Sequence, residues 1–206
     1  REAARLGERL HGRTGLRMQR VAVSCPRIAV VAAAGKGTRI HPRSLNVPKV
    51  MLEIAGKPLL VRNVEMLRDQ LGIREIHLII GHLGEQIRAY FGTGAAFGVD
   101  IRYIENPNVA GGLGTALLVA EATIHEPFVM VLGDELYIDS NHRELAALRG
   151  SFDAVCAIHA TEDLELIRKN YSVTLDGDRI TGLVEKPESA PSPYLGCGTY
   201  VFTPDV

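Results

Sequence analysis

The sequence has almost no net charge: 23 Lys and Arg stand against 24 Asp and Glu, a formal balance of −1. That gives no electrostatic case for nucleic acid or an anionic membrane surface as partner, so any cationic site has to be local. Long apolar runs are missing too. Nothing approaches the roughly 20 residues that a membrane-spanning helix needs, and no signal-like apolar core stands near the start, which makes the cytoplasm the expected compartment. Cysteine is scarce. Cys25, Cys156 and Cys197 are odd in number, far apart and set in or beside apolar segments, so buried thiols are expected rather than a disulfide or a zinc set. Neither C-x-x-C nor H-E-x-x-H occurs, which removes the usual zinc signatures. His41, His77, His82, His125 and His159 share no common spacing. With no Ser-His-Asp order or nucleophile elbow, they read as surface or satisfied histidines.

What remains is an ordinary globular composition, 46% hydrophobic and 23% charged, in a chain long enough for one domain, or one and a half, with a real core. Residues 1–26 are Arg-rich and weakly patterned. Glu2 to His11 has the makings of a short amphipathic helix, but an N-terminal extension is the expectation, with the domain proper over 27–206. The chain opens without an initiator Met and stops just after an expected strand, so a trimmed or partial product is expected.

The stretch from Ile28 to Leu60 organises the rest. Ile28 to Ala34 is an apolar run of the length of a buried strand. It breaks into Gly35-Lys36-Gly37-Thr38-Arg39, where two glycines permit a tight turn and leave main-chain N–H groups open to an anion. Arg39 and Lys49 follow ten positions apart, each on a segment stiffened by a proline (Pro42, Pro48). Strand end, flexible loop and fixed cations suggest a triphosphate site. No Walker A pattern fits, and a dinucleotide fingerprint begun at Gly35 fails at Ile40.

Downstream, Pro58 to Leu71 has a helical period closed by Gly72. Glu75 to Ile80, Val99 to Ile104, Phe128 to Leu132 and Asp153 to His159 read as strands. Helices are expected at Gly84 to Phe91, from Gly111 through Ala122, and at His142 to Leu148. This alternation predicts an α/β fold, a Rossmann-like, mostly parallel sheet with helices on both faces and its ligands beyond the carboxyl ends of the strands. After residue 170 the pattern changes to a hairpin, Tyr171 to Leu175 and Arg179 to Glu185, followed by a strand at Tyr200 to Phe202. Asp134 ends the strand V-M-V-L-G-D, where it is either a hard-oxygen Mg²⁺ ligand or a cap for the next segment. Glu185-Lys186, at the hairpin's end, reads as an exposed ion pair when taken alone.

Gly35-x-Gly37-Thr38-Arg39 with Pro48-Lys49 and Gly56-Lys57-Pro58-Leu59-Leu60 resembles the signature of the nucleotidyltransferases that activate sugar 1-phosphates, the thymidylyl-, uridylyl- and guanylyltransferases. Leu132-Gly133-Asp134, Glu185-Lys186-Pro187 and Gly196-Cys197-Gly198-Thr199-Tyr200 match further segments of that family, so the resemblance runs from Ile28 to Val206. It implies a nucleotide-diphospho-sugar transferase, GT-A-like fold, truncated in its C-terminal part. It also implies the reaction of an NTP with a phosphorylated small-molecule acceptor, a sugar 1-phosphate, to give an NDP-sugar and pyrophosphate.

By the same resemblance, Arg39, Lys49 and Asp134 would be catalytic, with Mg²⁺ on Asp134. Ala34, Gly35, Gly37 and Thr38 would cradle the nucleotide's phosphates, and Gly112 and Thr115 its base and ribose. Glu185, Lys186 and Gly198 would hold the acceptor. The family's base-reading Gln has no counterpart here, Glu105 or Asn106 being nearest. Glu135 follows Asp134 where a small or amide residue is usual, and could support the metal or be only a neighbour. Cys197 replaces a small polar residue. A second metal aspartate would follow beyond Val206. Neither nucleic acid nor membrane is an expected partner, and a homo-oligomer is allowed. A non-sugar phosphate or phosphonate acceptor, in the manner of a cytidylyltransferase, and a regulatory module without turnover are the competing readings.

Overall fold

The apolar run after Pro26 forms the strand it predicts. In the computed structural model, which describes residues 26–108, 112–147 and 152–203, β1 spans Ile28–Ala32 at the centre of an eight-stranded sheet. Its side chains alternate between two cores, as the pleat requires. Ala29 and Val31 point to one, Ile28 and Val30 to the other.

Helix α1 (Leu59–Leu71) follows a short hairpin of β2 (Glu53–Ile54) and β3 (Lys57–Pro58). The helix buries Leu60, Val64, Leu67 and Leu71 against the Ala29/Val31 face and ends at Gly72 in the left-handed region. Strand β4 (Glu75–Ile80) pairs parallel with β1, and helix α2 (Gly84–Phe91) adds Ile87 and Phe91 to the same core. Strand β5 (Asp100–Glu105) closes that edge of the sheet. Helix α3 (Gly112–Ala120) covers the opposite face, with Ala116 and Ala120 against Val30 and Met130. Helices on both faces are thus present.

Strand β6 (Phe128–Leu132) is the seam. It runs parallel to β1 on one side and antiparallel to β10 (Tyr194–Phe202) on the other. Beyond it come β8 (Tyr171–Asp176) and β9 (Arg179–Glu185), a hairpin as expected, while β7 (Ala154–Ala160) pairs with β10. The order is β5-β4-β1-β6-β10-β8-β9. The parallel core is confined to β5-β4-β1-β6, and every pairing from β6 onward is antiparallel.

Three details depart from expectation. Strand β10 begins at Tyr194, six residues before the expected Tyr200, with an irregular register between Gly196 and Tyr200. Leu164–Lys169 forms an unforeseen helix, α4, capped by the Asp163 carboxylate on the Leu166 N–H. The helix expected at His142 is a 3-10 segment, His142–Ala147. The expected helix at Glu2 to His11, Cys25, Gly111 and Leu148 lie outside the described residues. No helix among those described is long and apolar enough to cross a membrane.

Candidate active site

Ala32 at the end of β1 lies level with Leu132 at the end of β6. The loops that follow therefore leave the sheet side by side, at the carboxyl ends where open α/β sheets take their ligands. The Gly133 N–H donates to the Ala32 carbonyl at 3.0 Å, which continues the pairing up to Asp134.

The first loop is held by Gly37 and Ser44. Gly37 sits at φ +63, and a Cβ there would lie 2.9 Å from the Cβ of Lys49 and 3.1 Å from that of Ser44, so both backbone and space demand glycine. Ser44 is fully buried and donates its hydroxyl to the Gly37 carbonyl at 2.7 Å. Thr38 and Arg39 occupy a 3-10 turn, Thr38–Ile40, and both are exposed. Lys49 opens another such turn over buried Val50, and its ammonium pairs with the Asp134 carboxylate. Those side chains are 34% and 37% exposed, so the pair faces solvent without being isolated by it.

Behind Asp134 stands Asn63 of α1. It is buried, and its amide donates to the Gly133 carbonyl at 3.0 Å. A polar residue on a helix's apolar face signals such a contact, because an unpaired buried amide is costly.

A cleft of about 190 Å³ lies between these loops and the start of α3. Ala34, Gly35, Lys49, Gly112 and Asp134 line it, bringing together five of the expected residues, and buried Asn106 and Leu113 join them. The volume is below that usual for a whole small ligand, so much of an NTP would lie along the open loop surface. The first turn of α3 borders it through Gly112 and Leu113. Of the two candidates beside the missing Gln, Asn106 lines the cleft, whereas Glu105 pairs with Arg88 at 2.5 Å. Thr115 is half-buried one turn into α3 and does not line the cleft, nor do Gly37, Thr38 and Arg39. A wider concavity of about 410 Å³ lies between α1 and residues 136–138. None of the expected residues lines it, whereas the paired Lys49 and Asp134 both line the smaller cleft.

The acceptor set is divided. Glu185 and Lys186 pair with each other at 3.1 Å, with side chains 78% and 53% exposed. The Lys186 backbone is in the left-handed region at φ +45, unusual for a residue with a side chain, and its N–H donates to the Asn170 carbonyl at 2.7 Å. Gly198, by contrast, is buried. Its N–H donates to Glu135 Oε2 at 2.8 Å, and a Cβ there would fall 2.5 Å from Glu135 Oε1. Beside it, the Tyr171 hydroxyl donates to the Cys197 carbonyl at 2.8 Å. Burial, then the negative charge of Glu135, pushes the Cys197 thiol up to about 11. Cys156 and Cys197 are free thiols.

Among the described residues no cluster of three or more His, Cys, Asp or Glu stands together. Asp134 nevertheless suits Mg²⁺, which takes one or two carboxylates and completes its shell with substrate phosphates and water.

The sequence profile of nucleotidyl transferases matches residues 28–206. The UTP–glucose-1-phosphate uridylyltransferase AglF of Haloferax volcanii is 35% identical over 184 residues, covering 86% of this chain and 72% of the relative. A glucose-1-phosphate thymidylyltransferase of Streptomyces antibioticus is 31% identical, and there the match spans 86% of this chain and 50% of the relative. UDP-glucose pyrophosphorylase, solved with UDP-glucose, superposes with a TM-score of 0.76 at 29% identity, over 87% of this chain and 77% of that one. The likeness thus extends over most of the chain, well beyond a local motif, and the chain belongs to the nucleotidyl transferase family.

Proposed function

We propose that the chain, with 27–206 as its catalytic unit, transfers a nucleotidyl group from an NTP to a sugar 1-phosphate, giving an NDP-sugar and pyrophosphate. The observation that carries this reading is the meeting of Lys49 and Asp134 over the glycine loop, from sites 85 positions apart. A cation on the loop that follows β1 and a carboxylate just past β6 suit a phosphate chain and its counterion. UTP and dTTP are the first nucleotides to consider, because the uridylyl- and thymidylyltransferases are relatives.

An oxygen of the acceptor phosphate attacks the α-phosphorus in line. The bond from that phosphorus to the bridging oxygen breaks, and pyrophosphate leaves with the electron pair. The attacking phosphate is already ionised, so no side chain has to remove a proton. The protein's work is positioning and neutralisation. Backbone N–H groups from Ala34 to Thr38 hold the phosphates, Arg39 the leaving pair, and Lys49 turns from Asp134 toward the α-phosphate as charge builds there. Asp134 would hold Mg²⁺, which when bound screens the repulsion between the two anions. Lys186 would draw in the acceptor phosphate and Glu185 its hydroxyls.

Pyrophosphate release, measured with four NTPs against sugar 1-phosphates, phosphocholine and a phosphonate, tests the proposal. Release with a sugar 1-phosphate supports it. Release only with a non-sugar acceptor moves the chain to the cytidylyltransferase-like reading, and nucleotide binding without release under any pairing leaves a regulatory module.

A further inference from the structure

Asp134 and Glu135 are consecutive and diverge. Asp134 pairs with Lys49 on the nucleotide side, while the Glu135 carboxylate lies over β10. Its Oε2 accepts from the Gly198 N–H at 2.8 Å and from the Tyr137 hydroxyl at 2.7 Å. The Tyr137 oxygen accepts from the Thr199 hydroxyl at 2.9 Å, and Thr199 Oγ1 lies 3.0 Å from His142 Nε2. His142 Nδ1 in turn lies 2.7 Å from the Ser140 hydroxyl.

The directions of these bonds follow from the carboxylate end. An ionised carboxylate only accepts, so Tyr137 donates to it, and Thr199 gives its single proton to Tyr137. Thr199 Oγ1 then accepts from the Nε2–H of His142, whose Nδ1 accepts from Ser140. All the donors point one way, toward Glu135. Such a run is reinforced by the charge at its end. It also returns to its origin: Ser140, His142 and Tyr137 belong to the segment after Asp134, while Gly198 and Thr199 belong to β10. Thr199 is fully buried and His142 nearly so. A Cβ at 198 would fall 2.5 Å from Glu135 Oε1 and 2.7 Å from Leu132 Cδ1, so the carboxyl lies close against the strand.

We infer that Glu135 is a positioning residue: through Gly198 and Tyr137 it fixes the loop bearing Asp134 to the strand beside the acceptor, and so sets the approach of one substrate to the other. The inference rests on the nucleotidyl-transfer reading. In-line attack needs the reacting atoms about 3–3.5 Å apart, and a misplacement of roughly 1 Å costs on the order of 10²-fold in rate. The parallel half of the sheet carries the nucleotide loops and the antiparallel half the acceptor side. β6 and β10 join the halves, and Glu135 ties them just past the end of β6.

Two measurements on the whole protein test this. The first is amide hydrogen exchange of the peptide covering residues 195–202, with and without MgUTP or MgdTTP. Nucleotide bound beside Asp134 steadies the loop, so it should slow exchange at Gly198 in the wild type, and Glu135→Ala should abolish that slowing. The second is steady-state kinetics with each substrate varied. Glu135→Ala should lower kcat by about 10²-fold with the KM for NTP changed by less than about twofold. Both bonds end on one oxygen, so Glu135→Gln keeps an amide oxygen that can accept from Gly198 and Tyr137 alike, and should recover most of the loss.

No slowing in the wild type, equal slowing in Glu135→Ala, or undiminished kcat in that variant overturns the inference. A Gln variant as impaired as Ala overturns it too, and if its Mn²⁺ binding by electron paramagnetic resonance is also weaker, Glu135 is a metal ligand. Should Glu135→Ala fail to fold, Tyr137→Phe removes one of the two bonds and must weaken the same exchange response. Wild-type slowing without turnover on any acceptor would sink the proposed function and leave the tie standing.

Discussion

Asn63 reaches across the core to the backbone of another element: its amide donates to the Gly133 carbonyl, one residue before Asp134. Asn63→Leu should leave that carbonyl unpaired and cost about 1–3 kcal/mol of stability. Urea denaturation reads the change. An unchanged midpoint would mean that the carbonyl finds another donor.

Lys49 is expected to matter more for rate than for binding. In the proposed mechanism Lys49→Ala removes the cation that meets the α-phosphate as it gains charge, so kcat should fall by on the order of 10²-fold, with a much smaller change in NTP affinity. Steady-state kinetics beside calorimetric titration with NTP separates the two. Near-normal turnover removes Lys49 from the scheme.

Asp134→Asn keeps the shape of the side chain and discards its charge. Turnover should collapse, with partial rescue by Mn²⁺, and EDTA should silence the wild type. Activity that persists in excess EDTA defeats the metal-assisted scheme.

Lys186 and Glu185 are paired and exposed, well placed to exchange each other for a ligand. Lys186→Ala should raise the KM for the acceptor phosphate and leave that for NTP nearly unchanged. Glu185→Gln should discriminate among acceptors by their hydroxyls. Equal damage to both KM values would mean that Lys186 serves the hairpin alone.

His142 gives a pH dependence. Burial lowers its pKa below the ordinary 6.5, because the neutral ring is favoured among Tyr137, Ser140 and Thr199. The unfolded chain therefore binds the proton first. The contribution to stability is complete above pH 6.5 and is lost as pH falls below it toward the folded value. Thermal unfolding between pH 7.5 and 5 should show the decline, and His142→Gln should flatten it.

Much of the nucleotide half was legible in sequence because its signals are local. The run into Gly35, the period from Leu60 to Leu71 and the glycine closing α1 each declare themselves within one element. Residues that act across elements were not legible. Ser44 under Gly37, Asn63 behind Gly133 and Glu135 over Gly198 acquire meaning only from partners 7, 70 and 63 positions away. The start of β10 was missed for a related reason: Gly196 and Gly198 carry weak strand propensity, and pairing with β7 supplies what they lack. The resemblance grouped Glu185, Lys186 and Gly198, whereas the structure leaves the first two exposed and buries the third.

The pairing of Lys49 with Asp134 has a consequence for the reaction cycle. Each group serves as the other's counterion, so neither Lys49 nor Asp134 rests as a lone charge. In the proposed reaction, binding of a metal-bound nucleotide would be an exchange of partners, phosphate for Asp134 and metal for Lys49. The net gain would be smaller than the new contacts alone suggest, though only modestly, because a pair about a third exposed is screened by solvent. The exchange runs backward when the NDP-sugar departs. By re-forming as the product leaves, the pair would lower the net affinity for nucleotide and product alike, and so shorten the stay of the NDP-sugar.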